Sequence, residues 1–197
     1  MKSRLTAVVL AAGFSKRMRA DKLRLTWQGK TILDWVLDAA CALDHVVLVG
    51  NPGLASHRGS TGAPNMPCTL VRVESPQADT GQAESLKSGL AALPAGVAGA
   101  MVLLGDMPLV TPELVVRLAG NFRAGRFLVP LYQGRRGNPV IIPAEWFPKV
   151  MDITGDTGAR PLLNTPGAPV DYIETNDPAV LADIDTPEDY SRLKNQP

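Results

Sequence analysis

LTAVVLAAGFSKRMRADKLRLTWQGK, residues Leu5–Lys30, is the stretch whose reading decides the fold. Its opening run, Leu5–Leu10, is almost continuously apolar, the pattern of a strand covered on both faces in a parallel sheet. Ala11, Ala12 and Gly13 then lead into a strongly basic loop. Of the chain's 20 Lys and Arg, eight lie at or before Lys30, with one of its 19 acids, Asp21. A chain of net charge +1 has gathered its positive charge around one loop.

A polyphosphate suits that arrangement. A parallel strand delivers small residues to its carboxyl edge, where backbone N–H groups of Leu10, Ala11, Ala12 and Gly13 can face an anion. Arg17 can fork onto phosphate oxygens, and Lys22 supplies a compact point charge. The plainer alternative is a strand-to-helix turn followed by a solvated basic loop. Neither the dinucleotide G-x-G-x-x-G nor the P-loop G-x-x-x-x-G-K-[ST] is present.

Length and composition set the frame. The 197 residues, 45% hydrophobic and 20% charged, predict one domain over 1–197 with a sizeable core. No apolar run is long enough for a membrane span, and no secretory leader is visible, so a cytoplasmic protein without a membrane partner is expected. Cys41 and Cys68 lack metal-ligand spacing and read as reduced thiols. His45 and His57 show no triad or metal pattern. No basic stripe carries interleaved aromatics, so nucleic acid is not an expected partner.

Strands and helices alternate along the chain. Thr31 and Asp34 open a helix with apolar residues at helical spacing, followed by a strand at Val46–Val49. Residues 51–67 hold too many Gly and Pro for regular structure and read as a surface excursion. A short strand at Leu70–Val73 precedes a helix opened by Thr80–Gln82, with Gly81 and Ser85 near its N-terminus, where the helix dipole favours negative or polar ligands. Ala100–Leu104 is the most apolar strand and is expected at the centre. It delivers Asp106 to the carboxyl edge, where open α/β sheets bind ligands. That carboxylate is either a turn-former or a metal ligand.

Thr111 and Pro112 start the next helix. Strands are expected at Arg126–Leu131, Val140–Ile142, Val170–Glu174 and Val180–Ile184. Between the first two, Arg135, Arg136 and Asn138 form an anion-binding tip or an ordinary hairpin loop. Thr186, Pro187 and Asp189 cap the last helix. Asp183 and Asp185 carry no capping duty, and alternation along the expected strand puts them on one side.

L-A-A-G-x-S-x-R-M-x-x-x-K-L, at Leu10–Leu23, resembles the signature loop of nucleotidyltransferases that activate a phosphorylated acceptor with an NTP. Its Ala-Ala-Gly form, followed by Trp27-Gln-Gly-Lys-Thr, is similar to the molybdenum cofactor cytidylyltransferases within the MobA-like NTP transferases. G-x-x-x-S-L-x-x-G-L at Gly81–Leu90, G-D-M-P-L-V at Gly105–Val110, G-D-x-G-A-R at Gly155–Arg160 and D-I-D-T-P-E-D at Asp183–Asp189 follow in family order.

The resemblance implies an α/β, Rossmann-like nucleotidyltransferase fold, a mostly parallel twisted sheet with helices on both faces and a small antiparallel addition. It implies CTP and molybdopterin as substrates, Mg²⁺ as cofactor, and a molybdoenzyme or its chaperone as recipient. Leu10, Ala11, Ala12, Gly13, Arg17, Lys22, Gly81, Ser85 and Asp106 would meet the nucleotide. Arg17, Lys22 and Asp106 would be catalytic, Asp106 and Asp185 would hold the metal, and Arg135, Arg136 and Asn138 would lie on the acceptor side. Asp185 is preferred over Asp183 because it is nearer the strand's end.

Three positions depart from the family pattern: Arg19 replaces a glycine, Asn138 replaces a histidine, and Ala12 stands where the guanylyltransferases carry a second glycine. The alternatives are GTP-dependent transfer, action on a sugar or polyol phosphate, and a cofactor-carrying chaperone without turnover. Paired acids at 106 and 185 speak against the last, since a carrier needs no metal ligands.

Overall fold

The computed structural model describes residues 4–12, 21–51 and 67–195. Gly13, Arg17 and Arg19 lie outside them, as does most of the expected surface excursion. In chain order the strands are β1 (Leu5–Ala11), β2 (Thr26–Trp27), β3 (Lys30–Thr31), β4 (His45–Gly50), β5 (Thr69–Glu74), β6 (Gly99–Leu104), β7 (Phe127–Tyr132), β8 (Arg135–Arg136), β9 (Val140–Pro143) and β10 (Val170–Glu174). The helices are α1 (Ile32–Ala40), α2 (Gln82–Ala91), α3 (Pro112–Asn121), α4 (Phe147–Val150), α5 (Arg160–Leu163) and α6 (Pro187–Lys194).

The main sheet runs β10-β7-β9-β6-β1-β4-β5, with β8 paired to β7. β1 lies parallel between β6 and β4, and β5 extends that block in parallel beyond β4. β9 runs antiparallel between β6 and β7, the antiparallel addition that was expected from the later strands. β6 is central, as its apolar sequence predicts.

Alternate residues of the buried strands feed two cores. Ala7 and Val9 of β1 and Met101 and Leu103 of β6 meet α1 and α3 residues such as Val36 and Leu118. Val8 and Leu10, with Ala100 and Val102, meet Leu86 and Leu90 of α2 and Leu162 and Leu163 of α5. This two-sided burial is why β1, β4 and β6 read as unbroken apolar runs.

Two expectations need correction. Val180–Ile184 is not a strand: Pro178–Leu181 forms a 3₁₀ turn, and residues 182–185 follow in irregular backbone. Asp177 caps that turn through Ala179 N–H, with Pro178 in its first turn, which is helix-start chemistry. Cys41 and Cys68 are joined by a disulfide rather than standing as separate thiols. Parallel pairing of β4 with β5 brings Cys68, just before β5, beside the end of α1.

Candidate active site

The carboxyl ends of β1 and β6 are drawn together by Gly105, whose N–H donates to the Leu10 carbonyl at 2.9 Å. A Cβ at Gly105 would come within 3.1 Å of that same oxygen, a tight contact that glycine avoids where the strand end passes close to β1. Asp106 therefore emerges beside Ala11 and Ala12.

A second arm reaches the same point from the end of the chain. Ile184 N–H donates to the Asp106 carbonyl at 3.0 Å, laying residues 183–185 across the end of β6. Asp189 fixes this arm. Its Oδ2 accepts from the backbone N–H groups of Asp185 (3.1 Å) and Thr186 (2.8 Å), and from the Thr186 hydroxyl (2.8 Å). Desolvation pushes the Asp189 carboxyl up, but the Thr186 hydroxyl and N–H, the Arg192 guanidinium and Asp185 N–H together lower its pKa to about 2. The acid that completes the capping box of α6 thus also orients Asp185.

The third arm carries Lys22. Residues Lys22–Arg24 form a 3₁₀ turn, with Asp21 Oδ1 accepting from Leu23 N–H and Leu23 buried in the first core. The β2–β3 hairpin follows. Trp35 Nε1 donates to the Trp27 carbonyl at 2.9 Å, and the Tyr190 hydroxyl donates to the Thr26 carbonyl at 2.6 Å, so α1 and α6 both grip the hairpin. A small third core of Ile32, Ile184 and Leu193, with Leu25 and Trp27 packed on it, joins this arm to the Asp185 arm.

The three arms meet at one atom. Lys22 Nζ donates to Asp106 Oδ2 at 2.6 Å and to Asp185 Oδ1 at 2.7 Å. Burial opposes the lysine's charge, yet attraction to and hydrogen bonding with the two carboxylates outweigh it and raise its pKa. Asp183 is raised by desolvation and by the adjacent Asp185 charge. The cluster is chemically suited to hold and release cations beside an anion. Asp106 Oδ1 is buried with no hydrogen-bond partner among the described residues.

Other expected site residues are dispersed. Leu10, Ala11 and Ala12 are buried, and the Ala12 methyl is enclosed at 1% exposure. Gly81 opens α2 at φ +139°, a conformation for glycine, and a Cβ there would lie 2.4 Å from the Gly155 carbonyl carbon. Ser85 is buried, its Oγ 3.5 Å from Ser75 Oγ, rather than presented at the helix tip. The first donors of α2 are already engaged: Gln82 N–H bonds to Asp156 Oδ1 (3.1 Å) and Ala83 N–H to the Gly155 carbonyl (3.1 Å). That cap comes from 74 residues away.

The proposed acceptor residues do not form one cluster. Arg136 donates to Asn164 Oδ1 at 2.9 Å and lies over the Tyr172 ring, while Arg135 is exposed on the hairpin. Asn138 instead lines a niche of about 70 Å³ with Leu10, Leu104, Gln82 and Thr157.

A family model described as the MobA-like NTP transferase domain matches residues 7–171. The chain is 34% identical to the purine catabolism protein PucB of Bacillus subtilis, covering 96% of each. It is 27% identical to the molybdenum cofactor cytidylyltransferase of Escherichia coli, covering 98% of this chain and 97% of that one. The crystal structure of Rv0371c from Mycobacterium tuberculosis in complex with manganese superposes with a TM-score of 0.80 at 28% identity, covering 98% of this chain and all of that one. No helix among the described residues is long and apolar enough to cross a membrane. The chain belongs to the MobA-like NTP transferases and is a nucleotidyltransferase of that family.

Proposed function

We propose that this protein, acting as one domain over 1–197, transfers CMP from CTP to molybdopterin and releases pyrophosphate. The observation that carries the transferase chemistry is Lys22, held between two carboxylates at the sheet edge where β1 ends. The choice of CTP and molybdopterin is supported by near-full-length similarity to the E. coli cytidylyltransferase and by the Ala-Ala-Gly form of the loop.

The backbone of Leu10–Gly13 borders the nucleotide, and Arg17 and Lys22 hold its phosphates. An oxygen of the acceptor's terminal phosphate attacks the α-phosphorus in line, and the bond to pyrophosphate breaks. Such transfer depends on positioning and charge neutralisation, so it requires no nucleophilic side chain. Asp106 and Asp185 fit a divalent cation: they converge on one cationic atom, and Asp106 keeps an oxygen unpartnered. Mg²⁺ held there would neutralise charge on the phosphate oxygens.

On the acceptor side, Asn138 lines the niche beside Leu10 and Leu104 and would meet the acceptor there, with Arg135 and Arg136 on the neighbouring hairpin as further contacts. The recipient of the product is a molybdoenzyme or its chaperone, and the similarity to a purine catabolism protein favours an enzyme of purine breakdown. The protein works in the cytoplasm.

Incubation with Mg²⁺, molybdopterin and each NTP, with pyrophosphate release as readout, tests the reading. kcat/KM should be highest for CTP. Because the Ala12 methyl is enclosed, it acts through the spacing of the loop backbone. A methylene-sized difference discriminates by about 1–3 kcal/mol, so Ala12→Gly should erode the preference without inverting it. Equal or better use of GTP by the unmodified protein overturns the cytidylyltransferase assignment.

A further inference from the structure

Lys22 stands where a metal shared by the two acids would stand. Its ammonium is 2.6 Å from Asp106 Oδ2 and 2.7 Å from Asp185 Oδ1. Divalent cations bind carboxylate oxygens at about 2.0–2.6 Å. An ammonium and a divalent cation drawn to the same two oxygens compete for their lone pairs and repel each other at short range, so each disfavours the other's binding. Asp106 Oδ1 gives no way around: it is buried while Lys22 is in place.

The lysine is built to move, and its backbone is built to stay. Leu23 is buried at 6% exposure and Ile32 N–H bonds to the Leu25 carbonyl at 2.9 Å, so the turn is anchored on both sides of its base. The four-carbon stem of Lys22 can still swing its head without disturbing that anchor. Leaving Asp106 and Asp185 breaks a charge-assisted bond to each, a loss that an anion receiving the ammonium would offset. A triphosphate supplies such an anion.

We propose that Lys22 is a built-in competitor of the divalent metal, bridging Asp106 and Asp185 until a triphosphate draws its ammonium away, so that nucleotide and metal bind cooperatively. The nucleotide's part rests on the nucleotidyltransferase reading; the competition between Lys22 and metal does not. Reciprocity then requires that metal also improve nucleotide affinity by the same factor.

The test is a Mn²⁺ titration of the nucleotide-free full-length protein, with free Mn²⁺ read by EPR. Lys22→Met should bind Mn²⁺ on the order of ten- to a hundredfold more tightly than wild type, the range of one charged hydrogen bond. Lys22→Arg should stay weak, and adding Asp106→Asn to Lys22→Met should remove the gain. Unchanged or weaker affinity in a folded Lys22→Met protein overturns the proposal, as does a gain that survives Asp106→Asn.

A measurement on the unmodified protein covers the case of a variant that does not fold. Saturating Mn²⁺ should increase the rate at which an amine reagent labels Lys22, read by mass spectrometry, because displacement exposes an amine that is otherwise covered by the two carboxylates. An unchanged labelling rate overturns the proposal. A wild-type protein that shows the competition but no turnover with any NTP would instead sink the transferase reading.

Discussion

The two halves of the sheet meet at β6 and use its carboxyl edge differently. On one side β1, β4 and β5 run parallel to β6, so strand ends collect at that edge. On the other, β9 runs antiparallel, with Val140 beside Val102 and Pro143 beside Gly99. The edge there receives the start of a strand, and the approach to it carries Asn138. The parallel half presents acids bridged by a lysine, while the antiparallel half presents a hairpin whose Arg136 pairs with Asn164. Charge is concentrated at one point in the first half and dispersed in the second. A polyphosphate needs the former, and a larger organic acceptor can use the latter.

The largest break of this contrast should come from the acids. Asp106→Asn and Asp185→Asn should each lower turnover by about 10²–10³-fold, the range for losing one positioned electrostatic group, with little change in melting temperature. Asp183→Asn should cost far less, since Lys22 bonds to Asp106 and Asp185. Loss of activity in Asp183→Asn with retention in Asp185→Asn would reverse that assignment.

Next comes a matched pair of core deletions. Ile184→Ala and Ile142→Ala should each destabilise the fold by about 2–5 kcal/mol, as both side chains are buried. At a temperature where both are folded, Ile184→Ala should be markedly slower, because Ile184 seats Asp185. Equal activities, measured after checking folding by circular dichroism, would show that the two halves hold the site equally.

A smaller effect is expected across the boundary. Asn138→Ala should raise KM for the acceptor by about tenfold or less, the worth of one hydrogen bond, and leave KM for the nucleotide unchanged. A matching rise for the nucleotide would erase the division of labour between the halves.

The smallest effect concerns pH. The Asp189 carboxyl is at about 2 in the folded protein, against about 3.9 when unfolded. Its folded-state pKa is depressed, so its stabilisation is fully present above about pH 4 and fades as pH falls through about 2. The stability gap between wild type and Asp189→Ala should therefore narrow over that window in denaturant titrations. A gap that stays constant would mean that Asp189 acts by packing rather than charge.

Elements with local chemistry were legible in the sequence. The apolar runs of β1, β4 and β6 and the capping boxes of Thr31–Asp34 and Thr186–Asp189 appear where their residues put them. The β2–β3 hairpin was not, because two strands of two residues carry no period. The turn at Pro178–Leu181 was misread as a strand from its apolar residues, although Asp177 and Pro178 carried the correct signal. Within the site, motif order pointed to Lys22, Asp106 and Asp185 separately. Their meeting at one ammonium was invisible, since Lys22 and Asp185 are 163 positions apart and long-range contacts such as the third core bring them together. The capping of α2 by Asp156 escaped for the same reason.

That third core has a consequence for synthesis. Ile32 belongs to α1 and is made well before Ile184 and Leu193. A nascent chain can pair β1, β4 and β6 while Ile184 is still in the exit tunnel, so this parallel block can form before the ion cluster exists. Until Ile184 docks, Lys22 lacks one of its two carboxylates. The unfinished protein should therefore be compact yet inert, unable to retain the charged substrates of a reaction it is not ready to perform.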